Sequence, residues 1–400
     1  MQFPPVLWNG VGAATSEMAR ALAARGHEVH VLSCVPHQPA SDEEHDGVLV
    51  HRRPTLLSGP GRSQRIPVVG LGVRALLRLS RGRDHPSDGL VRRLNQAASC
   101  FVEYRRLGLA ADVVATNESD GMALGFLLRR HPPVAMTVHG PGMLRTRLWG
   151  RLTVRGRVAD WLDRFGARHA DALVVPSQLL AETLAACGWL SGREPVVVHN
   201  PFDATSWSAT PADTTEPVVL AVGRIEPTKG VDVLVDAARL LTARVPGTRV
   251  VVAGGYPSGG DGRRWAAAVF ARNAALGSPV EFRGELERDA LRDLYRQARV
   301  VAIPSRLDMF PTVAWEAAAS GRPVVCSDKV GMAELVAGRG AGTVVPVGDV
   351  RALADALTAY CDDATRAAGA GRAARRLVED LVAPAVVGAQ LEAAYEAVAK

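Results

Sequence analysis

Short runs of aliphatic and β-branched residues alternate with helical stretches over nearly the whole chain, and this alternation constrains the fold more than any other feature. A repeated strand–helix–strand order is typical of parallel sheets that carry helices on both faces. The sequence therefore predicts an α/β protein built from doubly wound, Rossmann-like domains.

The alternation is interrupted once, by the polar, proline-bearing segment ATSWSATPADTTEP. We interpret this segment as a hinge linker between two facing domains with a cleft between them. The predicted regions are an N-terminal domain at 1–203, the linker at 204–217, a C-terminal domain at 218–378, and a helix within 379–400 that we expect to return to the N-terminal domain.

One polar loop follows a strand predicted at 300–303 and leads into a helix predicted at 312–320. Asp308 and Glu316 flank the N-terminus of that helix, where unpaired N–H groups favour an anion or sugar hydroxyls. Parallel α/β sheets bind ligands at the carboxyl ends of their strands, where this loop lies. Spacing alone nevertheless favours an ordinary surface loop, so a functional interpretation needs a second site.

A second polar loop, VGRIEPTKG, follows the strand predicted at 218–222 and precedes a helix predicted at 231–244. Its Arg224 and Lys229 could clamp a diphosphate, because arginine forks onto two phosphate oxygens and lysine acts as a point charge. Considered alone, the loop is an ordinary turn, and it lacks the spacing of a Walker motif. It is expected on the same rim of the sheet as Asp308, and the pair of loops suits a diphosphate joined to a polyhydroxyl group.

The N-terminal half offers weaker signals. Gly10 and Gly12 would let backbone N–H groups approach a ligand at the start of a helix that Thr15 or Ser16 could cap. The strand that should precede these glycines is missing, so either the true start lies upstream or residues 2–8 form a stub.

His139 follows the strand predicted at 134–138. A histidine at such a strand end is more often a loop residue than a catalyst, although sheet proteins keep their ligands there.

Composition adds few constraints. The chain is 48% hydrophobic and 22% charged with a net charge of +6, an ordinary globular balance, and no nucleic-acid partner is expected. Residues 51–110 hold twelve arginines against three acidic residues. We favour a solvated surface there, because arginine replaces lysine almost throughout the chain; weak peripheral contact with an acidic membrane face, or with a phosphorylated or lipid-bound acceptor, is the alternative.

The cysteines show neither a CxxC pair nor metal-ligand spacing, which favours a reducing, cytoplasmic compartment. They are Cys34, Cys100, Cys187, Cys326 and Cys361. We find neither an apolar run long enough to span a membrane nor a signal-peptide pattern. Because the sequence also lacks a D-x-D motif, we expect no obligatory metal.

Taken together, the motifs resemble the retaining group-4 (GT4) nucleotide-sugar glycosyltransferases, which have two facing Rossmann-like domains, the GT-B fold. The resemblance covers nearly the whole chain and is densest from 218 to 349. The segments that carry it are VGRIEPTKG, PSRLDMFPTVAWEAAASGRPVV, the FPP…GVG…ARALAARGHEV opening, HNPFD and VPVGD.

The resemblance implies transfer of a hexose-type sugar from a nucleoside-diphosphate (NDP) sugar donor to a hydroxyl-bearing acceptor. The acceptor could be a natural product, a lipid-linked sugar or a small polyol, and the first domain would choose it. The nucleotide sugar is a co-substrate, and no further cofactor is implied.

The resemblance also implies roles for individual residues. Arg224 and Lys229 would bind the donor pyrophosphate, Asp308 and His139 would face the donor sugar, and Glu316 would accept hydrogen bonds from the ribose. The remaining donor-binding set consists of Gly10, Gly12, Gly223, Met309, Phe310, Pro311, Thr312 and Val313.

The chain departs from the family pattern in its missing first strand and at two site residues, and the missing strand together with Asp308 keeps a non-catalytic member open. Asp308 stands where the family usually has glutamate, and Pro311 replaces a glycine and removes one backbone donor. A nucleotide-sugar epimerase or a phosphorylase on a similar frame, or a non-catalytic member that binds nucleotide sugar, are the competing interpretations.

Overall fold

A computed structural model of the chain describes residues 10–56, 89–118, 123–127, 132–140, 142, 144, 154–212, 216–257 and 259–399. The chain divides into two compact units. The first unit contains Met1–Pro201 and Pro384–Lys400, and the second contains Phe202–Ala383. Among the described helices, none is long and apolar enough to cross a lipid bilayer.

In the first unit, the described strands form two sheets, with strand orders β1-β3-β2 and β4-β5-β6-β7. Only the β2–β3 pair is antiparallel among them. The strands are β1 (Val29–Val35), β2 (Ser41–His45), β3 (Val48–Pro54), β4 (Val114–Asn117), β5 (Val134–Thr137), β6 (Ala172–Val175) and β7 (Val196–Val197). The helices are α1 (Gly10–Ala23), α2 (Gly89–Leu107), α3 (Leu124–Leu127), α4 (Val154–His169), α5 (Gln178–Ala186) and the C-terminal helix (Pro384–Ala399).

The C-terminal helix packs against α1 and the β4–β7 sheet. Val387 and Leu391 are fully buried in a cluster with Met18, Val174 and Val198. At the surface, Glu392 accepts hydrogen bonds from Arg25 and lies 2.9 Å from the His27 ring. The last residues of the chain therefore complete the core of its first half.

The described part of α1 begins earlier than the sequence indicates. Thr15 and Ser16 lie inside the helix, where the Thr15 hydroxyl donates to the Val11 carbonyl at 2.9 Å, so the expected cap at these residues is wrong. Gly10 and Gly12 belong to the first turns of α1 rather than to a loop ahead of it. The interpretation of 2–8 as a stub, and the part of the basic region at 57–88, lie outside the described residues.

The second unit has one six-stranded sheet, entirely parallel, with strand order β10-β9-β8-β11-β12-β13. The strands are β8 (Val218–Val222), β9 (Arg249–Ala253), β10 (Val280–Gly284), β11 (Val300–Ile303), β12 (Val324–Ser327) and β13 (Gly342–Val345). The helices are α6 (Val231–Arg244), α7 (Gly260–Ala275), α8 (Arg288–Gln297), α9 (Thr312–Ala319), α10 (Ala333–Gly338), α11 (Val350–Asp362) and α12 (Ala364–Leu377). The predicted α/β class with Rossmann-like sheets is confirmed.

Helices cover both faces of this sheet, which explains why its strands are nearly continuous apolar runs. Leu234 and Leu357 lie in the core on one face, and Trp315 and Leu377 lie in the core on the other. The strand order reverses between β8 and β11, so the loops after these two strands flank the topological switch point, where such sheets bind ligands.

The described part of the segment interpreted as a linker packs into the second unit. Trp207 and Ala212 are buried in its two cores. The guanidinium of Arg322, which is completely buried, donates to the Thr210 carbonyl and to the Ala298 carbonyl, the latter at 2.8 Å. Polar composition was misleading here, because a buried arginine supplies the hydrogen bonds that the segment's backbone requires.

Candidate active site

The loops that follow β8 and β11 contact each other directly at the switch point. Gly230, which ends the turn Pro227–Lys229, has φ +66°. A Cβ atom on Gly230 would lie 2.0 Å from the carbonyl oxygen of Pro304. Only glycine allows this approach, so the sequence of the first loop sets its distance from the second.

Lys229 and Asp308 meet across these loops. The Lys229 Nζ lies 2.6 Å from Asp308 Oδ2, and both side chains are largely buried. The backbone of Asp308 is held on both sides, because its N–H donates to the Lys329 carbonyl at 3.0 Å and its carbonyl accepts from the Gly331 N–H at 2.8 Å. The structure therefore joins the cationic loop to the carboxylate loop by a direct ion pair.

Arg306, in the loop after β11, bonds both to the loop after β8 and to the first turn of α6. Its guanidinium contacts both carboxylate oxygens of Asp232 at 2.6 and 2.8 Å and donates to the Pro227 carbonyl at 2.8 Å. Its backbone N–H donates to the Thr228 carbonyl at 2.7 Å. The Asp232 carboxylate raises the pKa of Arg306. The sequence shows Arg306 in the loop, but nothing in its spacing pairs it with Asp232.

Arg224 is held differently from Lys229. Its guanidinium contacts Glu226 Oε1 at 3.0 Å, and 56% of its side chain is exposed. Glu226 is buried and also accepts from the Thr228 hydroxyl at 2.7 Å. Arg224 therefore lies at the open side of the loop, where its guanidinium can reach a ligand.

The helix α9 begins at Thr312, immediately after the loop that carries Asp308. Pro311 occupies the cap position with φ −71°, and the Phe310 ring stacks on Trp315 with centroids 5.4 Å apart. Met309 is buried and Thr312 is exposed. The start of the helix is thus anchored by apolar contacts, while Thr312 at its first position is exposed.

Glu316 lies one turn into α9. Its Oε2 accepts a hydrogen bond from the Tyr295 hydroxyl at 2.8 Å. Burial raises the pKa of Glu316, and the Tyr295 hydrogen bond and the charges of Arg288 and Arg292 oppose that rise. Tyr295 carries no signal in the sequence beyond its place in an amphipathic helix, and sequence reasoning missed it.

A small cavity lies at the switch point, between the two loops and the first turn of α9. Its lining includes Gly223, Lys229, Pro304, Asp308 and Val313. The cavity therefore brings together candidate residues from the two loops that follow β8 and β11, at the edge where parallel sheets bind ligands.

In the first unit, His139 follows β5 and lies beside Asn117 at the end of β4. The His139 Nε2 is 3.3 Å from Asn117 Oδ1, and the Asn117 amide donates to the Thr15 hydroxyl at 3.2 Å. Burial lowers the pKa of His139 to about 4, so the ring is neutral at neutral pH. The next residue, Gly140, donates its N–H to Glu118 at 3.1 Å.

The two glycines predicted to bind the donor have different surroundings within α1. Gly12 is buried and Gly10 is exposed. Within the described part of the chain, no group of three or more histidine, cysteine, aspartate or glutamate side chains is arranged to hold a metal ion.

Two family models match the chain in succession. Residues 8–206 match the model described as Glycosyltransferase Family 4, and residues 205–377 match the model described as Glycosyl transferases group 1. The two matches meet at the boundary between the two compact units.

Characterised relatives carry glycosyltransferase names. Glycogen synthase of Mycobacterium tuberculosis is 29% identical over 407 aligned residues, which cover 95% of this chain and 89% of the relative. D-inositol 3-phosphate glycosyltransferase of Kineococcus radiotolerans is 36% identical over 231 residues, which cover 54% of this chain and 50% of the relative.

Solved structures share the fold. Sucrose-phosphate synthase from Thermosynechococcus elongatus matches 98% of this chain and 94% of its own, with a TM-score of 0.72 and 24% identity. Anabaena HepE in complex with UDP matches 99% of this chain and 98% of its own, with a TM-score of 0.67 and 18% identity.

Proposed function

Because the chain belongs to the GT-B glycosyltransferases, with a family 4 region ahead of a group 1 region, we propose that it transfers a hexose-type sugar from a nucleoside-diphosphate sugar to a hydroxyl-bearing acceptor with retention of configuration. The observation that carries the proposal is the Lys229–Asp308 pair at the switch point, 2.6 Å apart. In this proposal, Lys229 binds the donor phosphate and the neighbouring Asp308 holds the sugar hydroxyls.

The cations would act on the leaving group. When the bond to the sugar breaks, negative charge builds on the diphosphate, and Lys229 and Arg224 would stabilise it. One well-placed group of this kind is typically worth roughly 3–4 kcal/mol of barrier. In the structure, Lys229 is paired with Asp308. Binding of the donor would exchange this partner for phosphate and release Asp308 to hold sugar hydroxyls.

Retention would follow from attack on the leaving-group face. The acceptor hydroxyl would form its bond to the anomeric carbon as the bond to the diphosphate breaks, and a phosphate oxygen would take the hydroxyl proton. This route needs no protein nucleophile, because Asp308 would hold the sugar hydroxyls while the donor is bound. The charge that the step requires comes from the two basic side chains, so we expect activity to persist in excess EDTA.

The acceptor is proposed only as a class. The relatives are named for a polysaccharide product and for an inositol phosphate. A glucan and D-inositol 3-phosphate therefore belong in the first acceptor panel, beside lipid-linked sugars and natural products.

A donor screen tests the proposal. Purified protein is examined by thermal shift with UDP-, GDP-, ADP- and dTDP-sugars, and products are then analysed with the acceptor panel. We expect one nucleotide class to stabilise the protein and a glycoside of retained configuration to form. Donor altered without any acceptor would instead indicate an epimerase, and binding without turnover would indicate a non-catalytic member.

A further inference from the structure

We infer that Tyr295 is a positioning residue for donor binding: its hydroxyl fixes one oxygen of the Glu316 carboxylate and leaves the other for the ribose. The inference rests on the proposed function, because it assumes that Glu316 contacts the donor. Tyr295 belongs to α8 and Glu316 to α9, so the contact joins two helices on the same face of the sheet.

The geometry allows the Tyr295 hydroxyl little freedom. It donates to Glu316 Oε2 at 2.8 Å and lies 3.3 Å from the Val313 carbonyl in the first turn of the same helix. The Tyr295 side chain is completely buried. A buried hydroxyl requires a partner, and here that partner is a carboxylate whose residue is only partly buried.

Aromatic packing fixes the ring behind this hydroxyl. Trp207 packs edge-to-face against Tyr295 with centroids 5.5 Å apart. The guanidinium of Arg292 lies over the same Trp207 ring, 5.5 Å from its centroid. The hydroxyl is therefore held in a fixed direction, toward Glu316 Oε2. The Glu316 carboxylate is thus oriented by a rigid group rather than by solvent.

The contact also favours the charged form of Glu316. Burial raises the pKa of this carboxyl, whereas the Tyr295 hydroxyl and, from the same helix, Arg288 and Arg292 stabilise its ionised form. Burial and the Glu316 charge raise the pKa of Tyr295 well above its usual value, so the phenol stays a donor. An ionised Glu316 accepts hydrogen bonds from ribose hydroxyls through its remaining oxygen more strongly than a protonated one would.

Tyr295→Phe separates this role from a packing role, because phenylalanine keeps the ring and its contact with Trp207. The matched control is Tyr360→Phe, which removes another buried tyrosine hydroxyl in the same unit, one that lies 3.1 Å from the Thr343 hydroxyl. Binding of UDP, GDP, ADP and dTDP to the full chain is measured by calorimetry as a function of pH, from below the ordinary glutamate pKa of about 4.3 up to neutral pH.

We expect Tyr295→Phe to weaken nucleotide affinity most at low pH and to move the acid limb of the affinity profile upward by roughly one pH unit, about the worth of a hydrogen bond to a charged group. Tyr360→Phe should lower thermal stability and leave the profile in place. A Tyr295→Phe profile that superposes on the wild type, or an equal shift in Tyr360→Phe, overturns the inference.

Glu316→Gln distinguishes failure of this inference from failure of the proposed function. If Glu316→Gln weakens binding and Tyr295→Phe does not shift the profile, only the role of Tyr295 is wrong. If none of the nucleotides binds the wild type, or Glu316→Gln binds as tightly, the donor role of Glu316 is wrong, and the inference fails with it.

Discussion

Lys229 is the residue whose side chain most directly tests the proposed chemistry. Lys229→Ala should lower kcat by about two orders of magnitude or more, because in the proposed reaction it removes a cation that would stabilise the departing phosphate. Lys329→Ala is the matched control, since that lysine pairs with Asp328 at 3.4 Å and is half exposed. Steady-state kinetics with intact folding by circular dichroism measures both variants. Full activity of Lys229→Ala would contradict the phosphate assignment.

A second prediction at the residue scale concerns His139 and how the stability of the folded chain depends on pH. Its pKa is about 4 in the folded chain, against about 6.5 when unfolded, so the unfolded chain binds the proton more readily in that window. Stability should therefore fall as the pH drops from about 6.5 to about 4.

His139→Gln cannot titrate and should flatten this loss in urea unfolding measured at each pH, while His169→Gln, at an exposed site, should not. The same His139 variant should reduce sugar transfer more than nucleotide binding. Parallel stability curves for wild type and His139→Gln would show that the ring titrates normally.

At the scale of elements, the two loops at the switch point act as one unit because Arg306 joins them. Arg306→Ala removes the contacts to Asp232 and to the Pro227 carbonyl, so Lys229 and Asp308 should lose their fixed separation. A misplacement of about 1 Å can cost roughly a hundredfold in rate, and we expect kcat to fall between tenfold and a hundredfold, roughly.

Arg244→Ala is the matched control for this variant, because Arg244 forms an exposed ion pair with Asp355 at the other end of α6. Steady-state kinetics of both variants under identical conditions shows whether the loss of kcat is specific to Arg306. Equal activity of Arg306→Ala and wild type would show that the Arg306 side chain is not needed to position the loops.

Elements with strong periodicity and short apolar runs were predictable from the sequence, and β8, α6 and β11 match their predicted bounds. β2 was missed because its sequence, SDEEH, has no apolar face; charged cross-strand contacts, such as Arg53 to Asp42 at 2.8 Å, hold it at the edge of its sheet. The candidate site residues of the second unit could be named from motifs, but their partners Asp232 and Tyr295 could not, because these contacts depend on how separate helices pack.

At the scale of the whole molecule, the chain crosses between its two units twice, and its last helix belongs to the first unit. Leu391→Ala should destabilise the first unit by about 2–5 kcal/mol, since it empties a fully buried site beside Met18 and Val174. Calorimetry should show this as a shift confined to one transition.

Glu396→Ala, on the exposed side of the same helix, should change stability by less than about 0.5 kcal/mol. For Leu391→Ala, a shift confined to the unfolding transition of the second unit would contradict the assignment of the helix to the first unit.

At the switch point, every cation described above already has an acidic neighbour: Lys229 has Asp308, Arg224 has Glu226 and Arg306 has Asp232. The charges of the pocket are thus close to balanced, so a simple anion should gain little net electrostatic attraction there. Inorganic phosphate would pair with Lys229 and leave the Asp308 carboxylate without its cation. A sugar diphosphate would offer phosphate oxygens to Lys229 and hydroxyl groups to Asp308. If the proposed function is right, a pocket with balanced charges should therefore bind a sugar diphosphate in preference to inorganic phosphate.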